Sequence, residues 1–265
     1  MTLDARLFLG FSSVVHFFLK VFLKLEPKDY KAEAYTQFEY GRRDEFAGKF
    51  PVKPEIRGRR VLDAGCGNGG ETAAYAEDEP AAIVGIELYE KHVRAAIRFA
   101  ADKNIRNIHF LPADCAALPF KDASFDTIIM HDVFEHLQHP DAVLRECARV
   151  LAPGGRMYFS FGPLWYSPYG GHMFFFTLVP WAHLFVPERT IFNARSRYRS
   201  DGARTYEEVG IYKMTAGKFE KLLAGCPLKV KYLSLRASRG LSFMLKLPVL
   251  RELFCREIVC ILERE

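Results

Sequence analysis

Hydrophobic and polar positions along the chain follow two alternating patterns, short apolar runs and longer amphipathic segments. Apolar runs of strand length predict buried strands at residues 59–65, 81–88, 107–114, 125–133 and 156–162. Between them, apolar residues recur every three or four positions, which predicts helices at residues 71–78, 90–104 and 139–151. Strands that alternate with helices in this way are joined by right-handed crossovers and form a parallel sheet.

The alternation stops after Gly162. Residues 163–188 are crowded with aromatic residues and prolines, and the basic, polar stretch 189–210 follows. A helix at 214–226 and strands at 229–237 and 256–264 then restore the regular pattern. An irregular segment of about 50 residues is uncommon inside a compact domain unless it forms a lid or a binding loop. We therefore expect four parts: an N-terminal helix and cap segment (1–55), a ligand-binding core (56–162), a substrate lid (163–212) and a C-terminal completion of the sheet (213–265).

The N-terminal segment Leu7–Leu25 is strongly apolar, but two lysines interrupt it and no small-residue cleavage site follows it. Neither a membrane-spanning helix nor a signal peptide is therefore expected. On a helix, one face would carry Arg6, Ser12, Ser13, His16, Lys20 and Lys24. The opposite face would carry Phe8, Phe11, Val14, Val15, Phe18, Val21, Phe22 and Leu25.

An apolar face beside a basic stripe is typical of helices that lie on a membrane surface, so residues 3–25 predict a peripheral membrane contact. Packing of this helix on its own domain or on a partner chain is the alternative. Pro27 would end the helix, and residues 29–50 would form a further, polar helical approach to the core.

Composition and charge exclude some classes of protein but do not assign a function. Nearly half of the 265 residues are apolar, which is enough for a full core, and the net charge of +5 is that of an ordinary solvated surface. The six cysteines form no C-x-x-C pair, so a structural zinc site is not expected. Their pattern favours a reducing, cytoplasmic location. Any membrane contact would then be at the inner membrane surface. No nucleic-acid recognition module is present.

The first strand leads into the stretch VLDAGCGNGG, in which Gly65, Gly67 and Gly70 spell G-x-G-x-x-G. That spelling alone is weak support for a dinucleotide. Asp63 at the end of the strand would repel a pyrophosphate and attract an ammonium group. Glu87 ends the second strand, where a carboxylate can accept both ribose hydroxyls, and Asp114 ends the third, where it can accept from an adenine amino group. Together the acids favour an adenosine cofactor without phosphates and with a positive tail, as in S-adenosylmethionine.

VLDAGCGNGG, GIEL, ADCAALPF and the run from Phe125 to Gly162 resemble the class I S-adenosylmethionine-dependent methyltransferases, in the small-molecule, type 11-like branch. The resemblance covers residues 59–162 strongly and the last helix and strands weakly. It implies an α/β, doubly wound, Rossmann-like sheet of seven strands. The sheet would be mostly parallel with an antiparallel last strand, supplied by a hairpin of residues 229–237 and 256–264, and would carry the N-terminal amphipathic helix and an aromatic-rich insertion after strand five.

The same resemblance implies roles for individual residues. The methionine and ribose parts of S-adenosylmethionine would lie against Asp63, Gly65, Cys66, Gly67 and Asn68. Glu87 would hold the ribose, and Leu88, Asp114 and Cys115 would contact the adenine, while His131 would face the methionine part.

Methyl transfer needs a base only when the acceptor is protonated, as a hydroxyl is. The histidines near the expected cleft are His131, His136, His139 and, from the insertion, His172; we name His172 and His136 as the catalytic candidates. Asp132, Glu135 and His136 also spell D-x-x-E-H, a partial match to the E-x-x-E-H metal site of small-RNA 2′-O-methyltransferases. A helix cap explains that pair of residues without a metal, so no metal is expected.

The leading hypothesis is an S-adenosylmethionine-dependent transfer of a methyl group to a small or lipid-associated acceptor, at a hydroxyl. The apolar N-terminus, the aromatic insertion and the arginines at 195, 197, 199 and 204 favour an amphiphilic acceptor, such as a lipid-linked glycan, a prenylated phenol or a sugar-bearing metabolite. Two alternatives stay open: an NAD-dependent oxidoreductase, which Asp63 opposes, and a non-catalytic partner subunit of a methyltransferase.

Overall fold

Seven strands form one sheet in the computed structural model, which describes residues 1–23, 32–238 and 240–265. The strands are β1 (Arg60–Ala64), β2 (Ala82–Glu87), β3 (Ile108–Pro112), β4 (Phe125–His131), β5 (Leu151–Phe161), β6 (Lys229–Ala237) and β7 (Cys255–Glu263). Their order across the sheet is β3-β2-β1-β4-β5-β7-β6. Strands β1 to β5 are parallel, and β7 pairs antiparallel with both β5 and β6. The predicted doubly wound sheet is confirmed.

Three helices precede the first strand, and the others occupy segments between the strands. They are α1 (Leu3–Leu23), α2 (Ala32–Tyr40), α3 (Arg43–Ala47), α4 (Gly70–Ala76), α5 (Glu90–Asp102), α6 (Pro140–Val150), α7 (Ala182–Phe185), α8 (Glu188–Arg195), α9 (Ala216–Ala224) and α10 (Pro248–Phe254). One boundary differs from expectation. Helix α6 ends at Val150, and β5 begins at once, so Pro153, Gly154 and Gly155 lie within the strand segment, where the β4–β5 pairing shifts register.

Side chains alternate between the two faces of the sheet, as strand geometry requires. Val61 of β1 packs on one face with Phe46 of α3 and Tyr75 of α4. Its neighbour Leu62 packs on the other face, where Phe219 of α9 contributes to the same core. Both faces are therefore covered, which leaves the carboxyl ends of the parallel strands as the open edge for a site.

Helix α1 packs on the insertion that follows β5. Ala5, Phe8 and Leu9 are buried in a cluster with insertion residues of α7 and α8. Ser12 is also buried and donates to the Thr177 hydroxyl at 3.0 Å, and the Nε2 atom of His16 accepts the backbone N–H of Leu178 at 2.8 Å.

The expected division of the helix is therefore wrong at Ser12 and His16, which face the protein because the insertion offers them partners. Part of the expected apolar face is exposed, including Phe11, Val14 and Phe18. Lys24, Leu25 and Pro27 lie outside the described residues, as does the start of the helical approach predicted at 29–50. No helix in the ranges given above is both long and apolar enough to span a membrane.

Apolar residues of the insertion, several of them aromatic, pack together into a small core. Met173, Phe176, Phe192 and Tyr206 are buried together beneath α1. Of the expected arginine cluster, Arg195 is buried and makes a bidentate pair with Asp201, with both N–O distances 2.6 Å, and Arg199 stacks over Phe175. These two guanidinium groups hold the insertion together and so do not form a recognition patch.

Candidate active site

A cavity of 410 Å³ opens at the carboxyl ends of the parallel strands. This volume lies in the range of small-molecule sites in proteins. Residues that follow β1, β2, β3 and β4 line one side of it. Two parts of the chain outside the sheet complete the wall. One is α2 together with Arg42, which follows it closely, and the other is the insertion segment 209–212. The outer residues are Tyr35, Glu39, Arg42, Val209, Gly210 and Tyr212.

The chain turns sharply after β1, and two positions of this segment hold glycine because any side chain there would clash with neighbouring atoms. Gly65 has φ +85°, and a Cβ added there would lie 2.5 Å from the Cγ2 atom of Val133. Gly70 begins α4, and its added Cβ would lie 2.4 Å from the carbonyl oxygen of Thr36 in α2. The glycine loop is thus fixed between the segment after β4 on one side and α2 on the other.

Each of the three predicted acids lines the cavity. Asp63 is buried and accepts the Thr72 hydroxyl at 2.6 Å, and burial raises its pKa to about 7. Glu87 accepts the N–H groups of Gly67 at 3.3 Å and of Tyr89 at 3.1 Å, so its carboxylate is fixed at the end of β2.

The third acid, Asp114, accepts the N–H of Ala116 at 2.8 Å in the turn after β3. A row of three acids along the strand ends fits an adenosine group with a cationic tail and opposes a pyrophosphate. A NAD-type ligand is therefore disfavoured by the lining itself.

The remaining predicted contacts divide into two groups. Gly65, Gly67, Cys66, Leu88 and Cys115 line the cavity, and burial raises the pKa of both thiols, so they are neutral, apolar wall groups. Asn68 is buried behind the wall, where its side-chain oxygen is 2.7 Å from the Nδ1 atom of His92. Its position makes Asn68 a support for His92, which does line the cavity.

His131 lies at the end of β4 in a network of charged groups. Its Nε2 atom is 3.1 Å from a guanidinium nitrogen of Arg42 and 3.0 Å from the Lys49 ammonium, both of which can only donate. Its Nδ1–H therefore donates to Glu71, at 2.7 Å. Because both ring nitrogens are engaged, His131 is a poor candidate for a base and a good one for a fixed wall group.

The two catalytic candidates are neighbours with different access to the cavity. His136 lines it, whereas His172 packs behind His136 with ring centroids 5.1 Å apart. The Nε2–H of His172 donates to the carbonyl of Pro163 at 3.0 Å, and burial lowers its pKa to about 4. His172 is thus a neutral residue that positions His136 and does not reach the cavity wall.

In His136 the Nδ1–H donates to the carbonyl of Gly210 at 2.9 Å. The Nε2 atom therefore carries the lone pair. Surrounding protein lowers the pKa of the ring, so it is neutral at pH 7. A neutral imidazole that is oriented through one nitrogen and presents the other to a cavity has the arrangement of a general base.

Sequence reasoning missed the contribution of α2. Tyr35, Glu39 and Arg42 belong to a segment predicted only as a polar approach, because no motif marks it and its contact with the glycine loop is long-range.

Across the described ranges no group of three or more His, Cys, Asp or Glu residues is arranged to hold a metal ion. Of the D-x-x-E-H residues, Glu135 is buried and accepts the N–H of Gly162 at 3.1 Å.

Comparison with known proteins agrees with this geometry. Residues 62–159 match a family model described as "Methyltransferase domain". Among named relatives, 27-O-demethylrifamycin SV methyltransferase of Amycolatopsis mediterranei is 38% identical over 43% of this chain and 41% of its own length. Ubiquinone biosynthesis O-methyltransferase of Paracidovorax citrulli is 37% identical over 40% and 44%. Phosphoethanolamine N-methyltransferase 1 of Arabidopsis thaliana is 35% identical over 44% and 23%. The chain thus matches less than half of the length of these relatives.

Solved structures resemble the chain over a greater length at lower identity. Geranyl diphosphate methyltransferase in complex with S-adenosylmethionine gives a TM-score of 0.58 at 14% identity, over 91% of this chain and 93% of its own. The [4+2]-cyclase SpnF gives 0.56 at 16%, over 91% and 84%. At such identities the likeness concerns the fold alone. Residues 62–159 therefore carry a stretch similar to the methyltransferase domain of class I S-adenosylmethionine-dependent methyltransferases of the type 11-like branch, and the longer likeness to solved structures concerns the fold.

Proposed function

We propose that this protein binds S-adenosylmethionine and transfers its methyl group to a hydroxyl of a small or lipid-associated acceptor. One observation carries the choice of a hydroxyl. His136 lines the cavity and donates through Nδ1 to Gly210, which leaves its Nε2 unprotonated. A hydroxyl acceptor must lose a proton as its oxygen is methylated, and a base at this place can take it.

The residues of the cavity fit the cofactor. Glu87, Asp114 and Cys115 would hold the adenosine part, and Asp63 with the glycine loop would hold the methionine part. When bound, the sulfonium supplies an electrophilic methyl group. The chain itself would contribute position and a proton acceptor: the glycine loop fixes the site, and His136 Nε2 would take the hydroxyl proton.

The most direct test is methyl transfer to two probes, a prenylated catechol for hydroxyl acceptors and phosphoethanolamine for amines, with calorimetry of S-adenosylmethionine and NAD on the same protein. We expect cofactor binding in the micromolar range, no heat with NAD, and S-adenosylhomocysteine formed with the catechol. Transfer to phosphoethanolamine alone would show that the acceptor is an amine. Binding without transfer to any hydroxyl or amine acceptor would favour the non-catalytic subunit.

We further propose that α1 lies on a membrane surface. Its outward face carries apolar side chains that are each more than half exposed, Leu3, Leu7, Phe11, Val14, Phe17 and Phe18. Arg6 and Lys20 are also exposed and lie along one edge of this face on the helical wheel. An exposed apolar band with a basic border matches the surface of a membrane that contains anionic lipids, where each cation near the surface contributes about 1 kcal/mol.

Vesicle flotation tests the membrane contact. Deletion of α1 is unsuitable, because it would uncover the insertion core that Ala5, Phe8 and Leu9 close. We expect the wild type to float with phosphatidylglycerol vesicles, and Phe11→Ser/Phe17→Ser to bind at least about tenfold more weakly through the loss of apolar contact. Phe243→Ser/Val249→Ser, which changes two exposed apolar residues near α10, is the matched control. Equal binding by both variants, or none by the wild type, would remove the membrane contact.

A further inference from the structure

Glu39 of α2 lies directly over the glycine loop. A Cβ added at Gly70 would be 2.7 Å from the Glu39 Cβ, and one added at Gly67 would be 3.9 Å from the Glu39 Oε1 atom. The carboxyl group therefore reaches from α2 to the floor on which the methionine part of a cofactor would rest. It lines the same cavity as Asp63 and Glu71.

One oxygen of this carboxyl group lacks a hydrogen-bond partner in the part of the chain that the structure describes. The Oε2 atom of Glu39 is buried, and no hydrogen-bond partner for it exists among the described residues. A buried polar atom without a partner is rare in folded proteins and is explained by an absent ligand more readily than by the fold. The guanidinium of Arg42 contacts Asp132 and His131 through one terminal nitrogen, and its buried Nε atom has no hydrogen-bond partner among the described residues.

The charges around Glu39 define what the missing partner must be. Burial, together with Glu71 of α4 and Asp63 of β1, raises the pKa of Glu39 to about 8, against the opposing influence of Arg42; Asp132 adds to the increase. Tyr35, on the same helix, also interacts with it. At pH 7 the carboxyl group therefore holds a proton. A cation with several N–H donors would satisfy the orphan oxygen and displace that proton.

We propose that Glu39 receives the α-ammonium group of the cofactor's methionine part and releases its proton when that group binds. The ammonium keeps its three protons, the carboxyl proton passes to solvent, and an ion pair forms in the cavity. The inference rests on the proposed use of S-adenosylmethionine. It makes α2, which carries no recognised motif, part of cofactor selection.

Proton release is measured by calorimetry at pH 7 in buffers of different ionisation enthalpy. A carboxyl group of pKa about 8 is protonated to about 0.9 at pH 7, so Glu39→Gln is expected to release about 0.9 fewer protons than the wild type. Glu90→Gln, an exposed carboxylate paired with Arg94 on α5, should release as many as the wild type. Comparing variants with the same ligand cancels the contribution of the ligand's own amine.

A ligand series tests the same point without a variant. S-adenosylmethionine and S-adenosylhomocysteine both carry the ammonium and should release protons equally, whereas 5′-methylthioadenosine lacks it and should release none. Glu39→Gln should weaken the first two ligands roughly tenfold or more and leave the third unchanged.

Three results would overturn the assignment. They are equal proton release by Glu39→Gln and the wild type, proton release on binding of 5′-methylthioadenosine, and proton release with S-adenosylmethionine but not with S-adenosylhomocysteine. If the wild type bound no S-adenosylmethionine, the proposed function would fail as well. Binding without proton release would remove only the role of Glu39.

Discussion

Replacement of His136 by glutamine is expected to lower kcat for a hydroxyl acceptor by about 10²- to 10⁴-fold, the range for loss of a general base. Glutamine keeps a polar group near Gly210 but presents no basic lone pair to the cavity. The affinity for S-adenosylmethionine should change less than about threefold, because the partners of His136 are Gly210 and His172 and none of the residues proposed to hold the cofactor. Single-turnover rates and cofactor calorimetry measure the two effects separately.

The pH dependence gives an independent readout of the same residue. Surrounding protein lowers the pKa of His136 below its ordinary 6.5, so the unprotonated form persists through neutral pH. With the cofactor saturating, kcat of the wild type should be flat near pH 7 and fall only as the pH drops through the lowered pKa of His136. His136→Gln should lack that acidic limb, while His139→Gln, which is exposed and away from the cavity, should keep it. Full activity in His136→Gln would exclude a base at this position.

Gly65→Ala is expected to destabilise the protein by about 2–5 kcal/mol and to abolish cofactor binding at micromolar concentrations. A left-handed backbone costs a non-glycine residue about 1–2 kcal/mol, and an overpacked side chain costs about 1–3 kcal/mol more. Both apply here, because φ is +85° and the new methyl group would lie 2.5 Å from Val133. Urea unfolding with unchanged slope measures the loss of stability.

Two further variants separate the causes. Gly154→Ala has φ +74° and no atom within 4 Å of the added methyl group, so it should cost only the backbone strain of about 1–2 kcal/mol. Adding Val133→Ala to Gly65→Ala removes the two contacts at 2.5 and 2.7 Å, leaves the Cβ of residue 133 at 3.2 Å, and should recover part of the stability lost to overpacking. If Gly65→Ala and Gly154→Ala were equally stable, the close packing between the glycine loop and Val133 would be refuted.

The sheet and the cofactor edge were predictable because they depend on local signals. Apolar runs, a glycine turn and an acid at the end of each strand are all readable within about ten residues. The antiparallel closure by β6 and β7 followed from the family resemblance and is confirmed, although a helix, α10, fills the long connection. The roles proposed for Asp63, Glu87 and Asp114 stay predictions, but the structure brings these residues to one cavity.

Features that depend on contacts between distant segments were not predictable. The burial of Ser12 in α1 requires Thr177, 165 positions away, so helical periodicity alone assigned it to the wrong face. The choice between His136 and His172 depended on which ring the insertion covers. Glu39 carries no motif, and its place above the glycine loop follows from the absence of a side chain at Gly70.

The close packing of α2 on the glycine loop has a consequence for the rate of catalysis. A ligand on that loop would lie near Glu39 and Tyr35, so we expect the spent cofactor to leave faster when this helix moves outward. Motions of such coverings take microseconds to milliseconds and often limit turnover. For a good acceptor we therefore expect the steady-state rate to report the opening frequency of α2, and acceptors of different reactivity to converge on one maximal rate.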